Sequence, residues 1–145
     1  MSKRSEVIRK ARNFLEHKNP QPALDILLPY IETAPGDAVA HALVGVAYGQ
    51  QEVFYLAARH LGHSLAVDEN QDEIRRMFLR ALVEMRRWED AFEVVTRLKK
   101  DNPNDTEIDS QMAFIEKHLD APTIGWERDK QRSDVRVTFT NLDED

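Results

Sequence analysis

Apolar residues along this chain fall in short stripes that recur every 34 residues. Ala23, Ala57 and Ala91 mark the frame, each inside an apolar run. The same frame aligns Ala11 with Gly45 and Leu79, Phe14 with Tyr48 and Leu82, Leu27 with Leu61 and Val95, and Pro35 with Glu69 and Pro103. Within each period the stripes have helical spacing, as in Val7, Ile8, Ala11, Phe14 and Leu15, then Ala23, Leu24, Leu27, Leu28 and Ile31. Each period therefore predicts two helices joined by a short turn. One such pair cannot bury its apolar face alone, so the pairs must stack.

Breaks in the pattern set the boundaries. Asn19-Pro20-Gln21-Pro22 interrupts the first pair, Gln50-Gln51-Glu52 the second and Arg86-Arg87 the third. Pro29 falls inside an apolar stripe and predicts a kink or a distorted turn. Gly45 predicts a close helix crossing, and Gly45-x-x-x-Gly49 is read as packing in a soluble helix. A seventh helix is expected at 106–119, with Ile108, Met112, Ile115 and Leu119 on one face and a polar opposite face that can cap the stack. Beyond Pro122 the pattern stops. Val135, Val137 and Phe139 alternate with polar residues, a short strand signal.

The repeat resembles the tetratricopeptide repeat (TPR) family. Ala11, Phe14, Ala23, Leu27 and Pro35 match in the first copy, Gly45, Tyr48, Ala57, Leu61 and Ser64 in the second, and Ala91 and Pro103 in the third. Tyr30, Glu69, Leu79, Leu82 and Leu98 depart from it. The resemblance implies an all-α, TPR-type α-solenoid with a right-handed superhelix. Its domain would span residues 1–119, as repeats 4–37, 38–71 and 72–105 and a capping helix at 106–119, with residues 120–145 as an extended or partly disordered tail. It further implies a concave groove lined by the first helix of each pair. That groove would present Ser5, Ile8, Arg12, Leu15 and Glu16, then Val39, Ala42, Val46, Gly49 and Gln50, then Glu73, Arg76, Arg80, Val83 and Glu84. A small, apolar centre flanked by Arg12, Arg76 and Arg80 suits an extended protein or peptide segment with apolar anchors and negative charge. The branch of the family that clamps the acidic end of heat-shock chaperones needs Lys, Asn and Arg where this chain has Ile8, Arg12, Leu43, Glu73 and Met77. Glu73 would repel a carboxylate, so that role is not expected.

Charge and chemistry narrow the picture further. A net charge of -6 disfavours general nucleic-acid binding. Residues 1–18 carry six Lys or Arg against two Glu, whereas the chain ends Asp143-Glu144-Asp145. There are no cysteines, which removes disulfides and thiolate chemistry. No apolar run approaches the roughly 20 residues of a membrane span, and no secretory signal opens the chain; a cytoplasmic protein is expected. His60 and His63 share a helical face, but without a third ligand they read as surface histidines on an exposed side, and His41 reads as isolated. No catalytic or phosphate-binding motif occurs, so neither enzyme activity nor a cofactor or metal is expected. The tail, apolar and then acidic, could guard the groove or dock elsewhere, and self-association is open through the tail or the convex face. The function expected is a protein–protein adaptor or scaffold; the alternative is a small TPR chaperone for a secreted or assembly-prone client, resembling those of type III secretion.

Overall fold

The computed structural model describes residues 2–120. Among them lie seven α-helices: α1 (Lys3–Glu16), α2 (Pro20–Thr33), α3 (Ala38–Gln50), α4 (Phe54–Val67), α5 (Asp72–Glu84), α6 (Trp88–Asp101) and α7 (Thr106–Asp120). The chain through Ile115 forms one unit, and from Glu116 onward it belongs to a second. The strand signal at Val135–Phe139 and the acidic end lie outside the described residues.

From α1 through α6, consecutive helices pack on one another. The odd-numbered helices also touch one another, α1 with α3 and α3 with α5. This is the solenoid arrangement that the 34-residue period predicts. The framing alanines lie at the contacts: Ala11, Ala23 and Ala91 are fully buried and Ala57 nearly so. Gly45 is buried where α3 crosses α4, and a methyl group built on it would come within 2.5 Å of Leu61 Cγ. Tyr30, Ser64 and Leu98 share one place in the repeat and are all buried, though they differ in kind. Ser64 donates to the Ala38 carbonyl at 2.7 Å, and the Tyr30 hydroxyl donates to Asp37 at 2.8 Å, so both polar groups are satisfied.

The turns inside the pairs repeat as faithfully as the core. Lys18, Glu52 and Arg86 adopt left-handed φ angles of 56°, 62° and 59°. In each case the next amide bonds back across five residues: Asn19 N–H to Phe14, Val53 N–H to Tyr48 and Arg87 N–H to Leu82, all at 2.9 Å. This closure caps α1, α3 and α5 and redirects the chain. Glycine is the residue such a position favours, and none of the three is glycine. Installing glycine at Lys18, Glu52 and Arg86 should relieve about 1–2 kcal/mol of strain each against roughly 0.5–1 of added chain entropy. Thermal unfolding of the triple variant should show a higher midpoint; a lower one would mean that the side chains themselves stabilise these turns.

Asp37 holds the junction between the first two pairs. Its Oδ1 caps α3 by accepting from Ala40 N–H at 3.1 Å. Its Oδ2 accepts from Tyr30, and Arg4 pairs with it at 2.7 Å. Burial alone would raise the Asp37 pKa; Arg4, Tyr30 and the Ala40 amide outweigh it and bring it down to about 2. Tyr30→Phe should cost about 1 kcal/mol in urea unfolding. An unchanged midpoint would remove the hydroxyl from this account.

One expectation changes. Pro20 and Pro22 do not stand between helices but begin α2, where the missing amide hydrogen costs nothing. Pro29 lies within an unbroken α2. It sits on the exposed side together with Asp25, whose carbonyl it would leave unpaired, and water can reach that group.

Candidate functional site

α3 reads AVAHALVGVAYGQ, thirteen residues without a single Asp, Glu, Lys or Arg. It packs against α2 and α4 and also meets α1 and α5. The surface it leaves between α1 and α5 is a trough floored by Leu15, Val39, Ala42, Leu43 and Val46, with Ile74 and Met77 on the far wall. Arg12, Glu16, Gln50, Gln71 and Glu73 rim it. Arg12 is exposed and has no ion pair among the described residues.

The residues read from the sequence as groove positions do not all meet here. Arg12, Leu15, Val39, Ala42, Val46 and Gln50 line the trough. Ile8 is buried in the core of the first pair and borders a hollow along α1 that meets the trough at Arg12 and Glu16. Gly49 and Arg80 lie in a smaller opening that adjoins the trough. Val83 borders a hollow between α5 and α7 that also includes Phe114, whose ring meets Trp88 edge-on at 5.9 Å. Leu43, Ile74 and Met77 are floor and wall positions that the groove reading omitted. Helical spacing from Val39 and Val46 marks Leu43, but the two α5 residues become visible only once α5 is seen against α3.

Arg76 is committed elsewhere. Its guanidinium pairs with Asp72 at 3.0 Å and with Asp105 at 3.1 Å. Asp105 in turn accepts from Glu107 N–H at 2.9 Å at the start of α7. The hydrogen bonds to Arg76 hold both carboxyls below the usual range, and they raise the arginine. Arg76 thus ties α5 to the α7 cap, and the cations left beside the trough are Arg12 and Arg80.

His63 is exposed, as the sequence suggests, but His41 and His60 depart from the sequence reading. His41 is buried and reaches both His60 and His63 on α4. Its Nε2 lies 2.9 Å from the Pro35 carbonyl and therefore carries the hydrogen. Its Nδ1 lies 3.1 Å from His60 Nδ1, so His60 donates there. His60 also stacks on Tyr48 at 5.9 Å. Burial, then the neighbouring His41, Arg59 and His63, push His60 down to about 4; burial lowers His41 as well. Spacing along the chain could not reveal this cluster, because His41 comes from a different helix. Among the described residues no group of histidines and carboxylates is arranged to hold a metal ion, and no helix is long and apolar enough to cross a membrane.

No family model matches the chain, and no curated protein matches it in sequence. Solved structures do match the fold. The first TPR of Spaghetti (RPAP3), bound to the HSP90 peptide SRMEEVD, superposes with a TM-score of 0.67 at 16% identity, over 79% of this chain and 94% of that one. The first TPR domain of human RPAP3 gives 0.65 at 17% identity, over 78% and 89%. The fold of this chain is that of a tetratricopeptide-repeat domain.

Proposed function

We propose that this chain is a protein-binding adaptor whose trough holds an extended segment of another protein. The observation that carries the reading is the half-exposed apolar floor of the trough, Val39, Leu43 and Val46, over buried Leu15 and Ala42 and beside the unpaired Arg12. Apolar area of this kind, rimmed by polar groups, is where a partner gains most from removing water. The neighbour bound to an HSP90 peptide supports peptide binding on this fold. The partner expected here is different in kind. SRMEEVD is rich in carboxylates, whereas Glu16 and Glu73 stand at this trough. A mainly apolar segment with its acidic residue placed toward Arg12 avoids both.

Val46→Arg places a cation on the floor, and Tyr55→Arg places one on an exposed site outside the trough. Affinity capture with the wild-type chain and both variants, each checked for helical content, should yield at least one protein that Tyr55→Arg keeps and Val46→Arg loses. If Val46→Arg retains every partner, the trough is not the binding surface.

A further inference from the structure

At one end of the trough a second opening, about 170 Å³, drops between α3, α4 and α5. Val46, Gln50 and Met77 line both, so the two spaces are continuous. Glycine makes the room. A methyl group built on Gly49 meets nothing within 4 Å, and below it Gly45 lies against Leu61. Phe54, Leu61 and Met77 give the walls an apolar character. A dry cavity near 150 Å³ is enough to accept a benzene ring, so this one has the capacity for a single large side chain.

Charge distinguishes this well from the trough beside it. The trough carries two glutamates. The well carries no carboxylate, and its only charged residues are Lys18 and Arg80. Arg80 lies 5.5 Å over the Phe54 ring, and neither cation has an ion pair among the described residues. Gln50 donates its Nε2 to the Leu15 carbonyl at 2.9 Å. Its Oε1 is buried and lacks a hydrogen-bond donor, which no other buried side-chain oxygen or nitrogen among the described residues does. Two unneutralised cations and an empty apolar space thus meet in one place.

We infer that this well is the anchor subsite of the trough. It takes one phenylalanine- or leucine-sized side chain of the bound segment, and an adjacent Asp or Glu of that segment pairs with Arg80 and Lys18. The inference rests on the adaptor reading and adds to it which side chains the partner must bring. A partner with an apolar anchor but a basic neighbour would be rejected by the two cations, so the subsite selects by charge as well as by size.

A positional-scanning library of heptapeptides, read by fluorescence polarisation on the full chain, tests this. Wild-type protein should prefer Phe or Leu at one position with Asp or Glu next to it. Gly49→Leu fills the well from an open site on a helix, so it should melt at or above the wild-type temperature. It should also lose the apolar preference and weaken the best peptide at least tenfold. Arg80→Glu should abolish the acidic preference. If Gly49→Leu shows the wild-type profile while Val46→Arg abolishes binding, the subsite is refuted and the trough stands. An acidic preference that survives Arg80→Glu refutes the charge pairing. If no peptide binds the wild-type chain, the trough reading falls and the subsite with it.

Discussion

Gly45→Ala should destabilise the domain by about 2 kcal/mol, against the usual direction of a glycine-to-alanine change in a helix. Alanine gains roughly 0.5–1 kcal/mol there from reduced chain entropy. The added methyl, however, would sit 2.5 Å from Leu61 Cγ and 2.6 Å from its Cδ2, with the Ala57 carbonyl oxygen at 3.2 Å. Leu61 is 2% exposed and cannot swing aside. Overpacking of this kind costs on the order of 1–3 kcal/mol and sometimes more, enough to exceed the propensity gain. Gly49→Ala, one turn along the same helix, meets no neighbour and should stabilise by roughly 0.5–1 kcal/mol. The third pair suggests a rescue. In the same two places it carries the larger Leu79 and the smaller Val95, both buried, so Leu61→Val should recover part of the loss in a Gly45→Ala background. Urea unfolding of the three variants beside the wild type decides the matter. A Gly45→Ala protein as stable as Gly49→Ala would mean that α3 and α4 can slide apart at little cost, and the close crossing would not hold the stack.

The contrast between these two glycines shows how much of the molecule is legible in its sequence. The 34-residue frame is legible because stacking repeats demand small residues at fixed places, and Ala23, Ala57 and Ala91 report that demand directly. Gly45 reads correctly as a close approach for the same reason. Gly49 looks alike in sequence and behaves differently, because the space beside it depends on what α4 and α5 leave unfilled. The arginines fail for a related reason. Arg12 and Arg76 lie one helical turn apart in the repeat frame, yet Arg76 is neutralised by Asp72 on its own helix and by Asp105, 29 residues away. A side chain's availability is set by its partners, and partners across helices carry no local signal. The trough floor falls between these cases: the charge-free α3 announces an apolar surface, but which part of it stays uncovered is decided by α1 and α5.

Acid should loosen the first two helix pairs well before it titrates Asp37. His41 and His60 meet nitrogen to nitrogen at 3.1 Å with one hydrogen between them. The second nitrogen of His41 already gives its hydrogen to the Pro35 carbonyl. Protonating His41 at Nδ1 sets two N–H groups face to face, whereas protonating His60 at its other nitrogen keeps the bond but adds a charge that burial and the neighbouring His41 and Arg59 disfavour. Asp37 favours the charged form of His41, but burial and His63 oppose it; around His60, burial, His41, Arg59 and His63 all oppose it. Both folded-state values therefore lie below the unfolded value near 6.5. Between that value and about 4 the unfolded chain binds more protons, so stability is complete above about pH 7 and falls as the pH drops through this window. At about 1.4 kcal/mol per unit, discounted because His60 is partly exposed, the loss is on the order of 2 kcal/mol. Asp37 acts in a separate window. Its value is down to about 2, so its contribution persists above an unfolded value near 4 and is lost only below that. Urea unfolding at pH 7.5, 6 and 5 should show the histidine decline, and His60→Phe, which keeps an aromatic ring beside Tyr48 but cannot be protonated, should flatten it. NMR should find the His60 ring protons silent from pH 8 to 5. Stability unchanged across that range, or His60 titrating within it, would show that the two rings do not share a hydrogen.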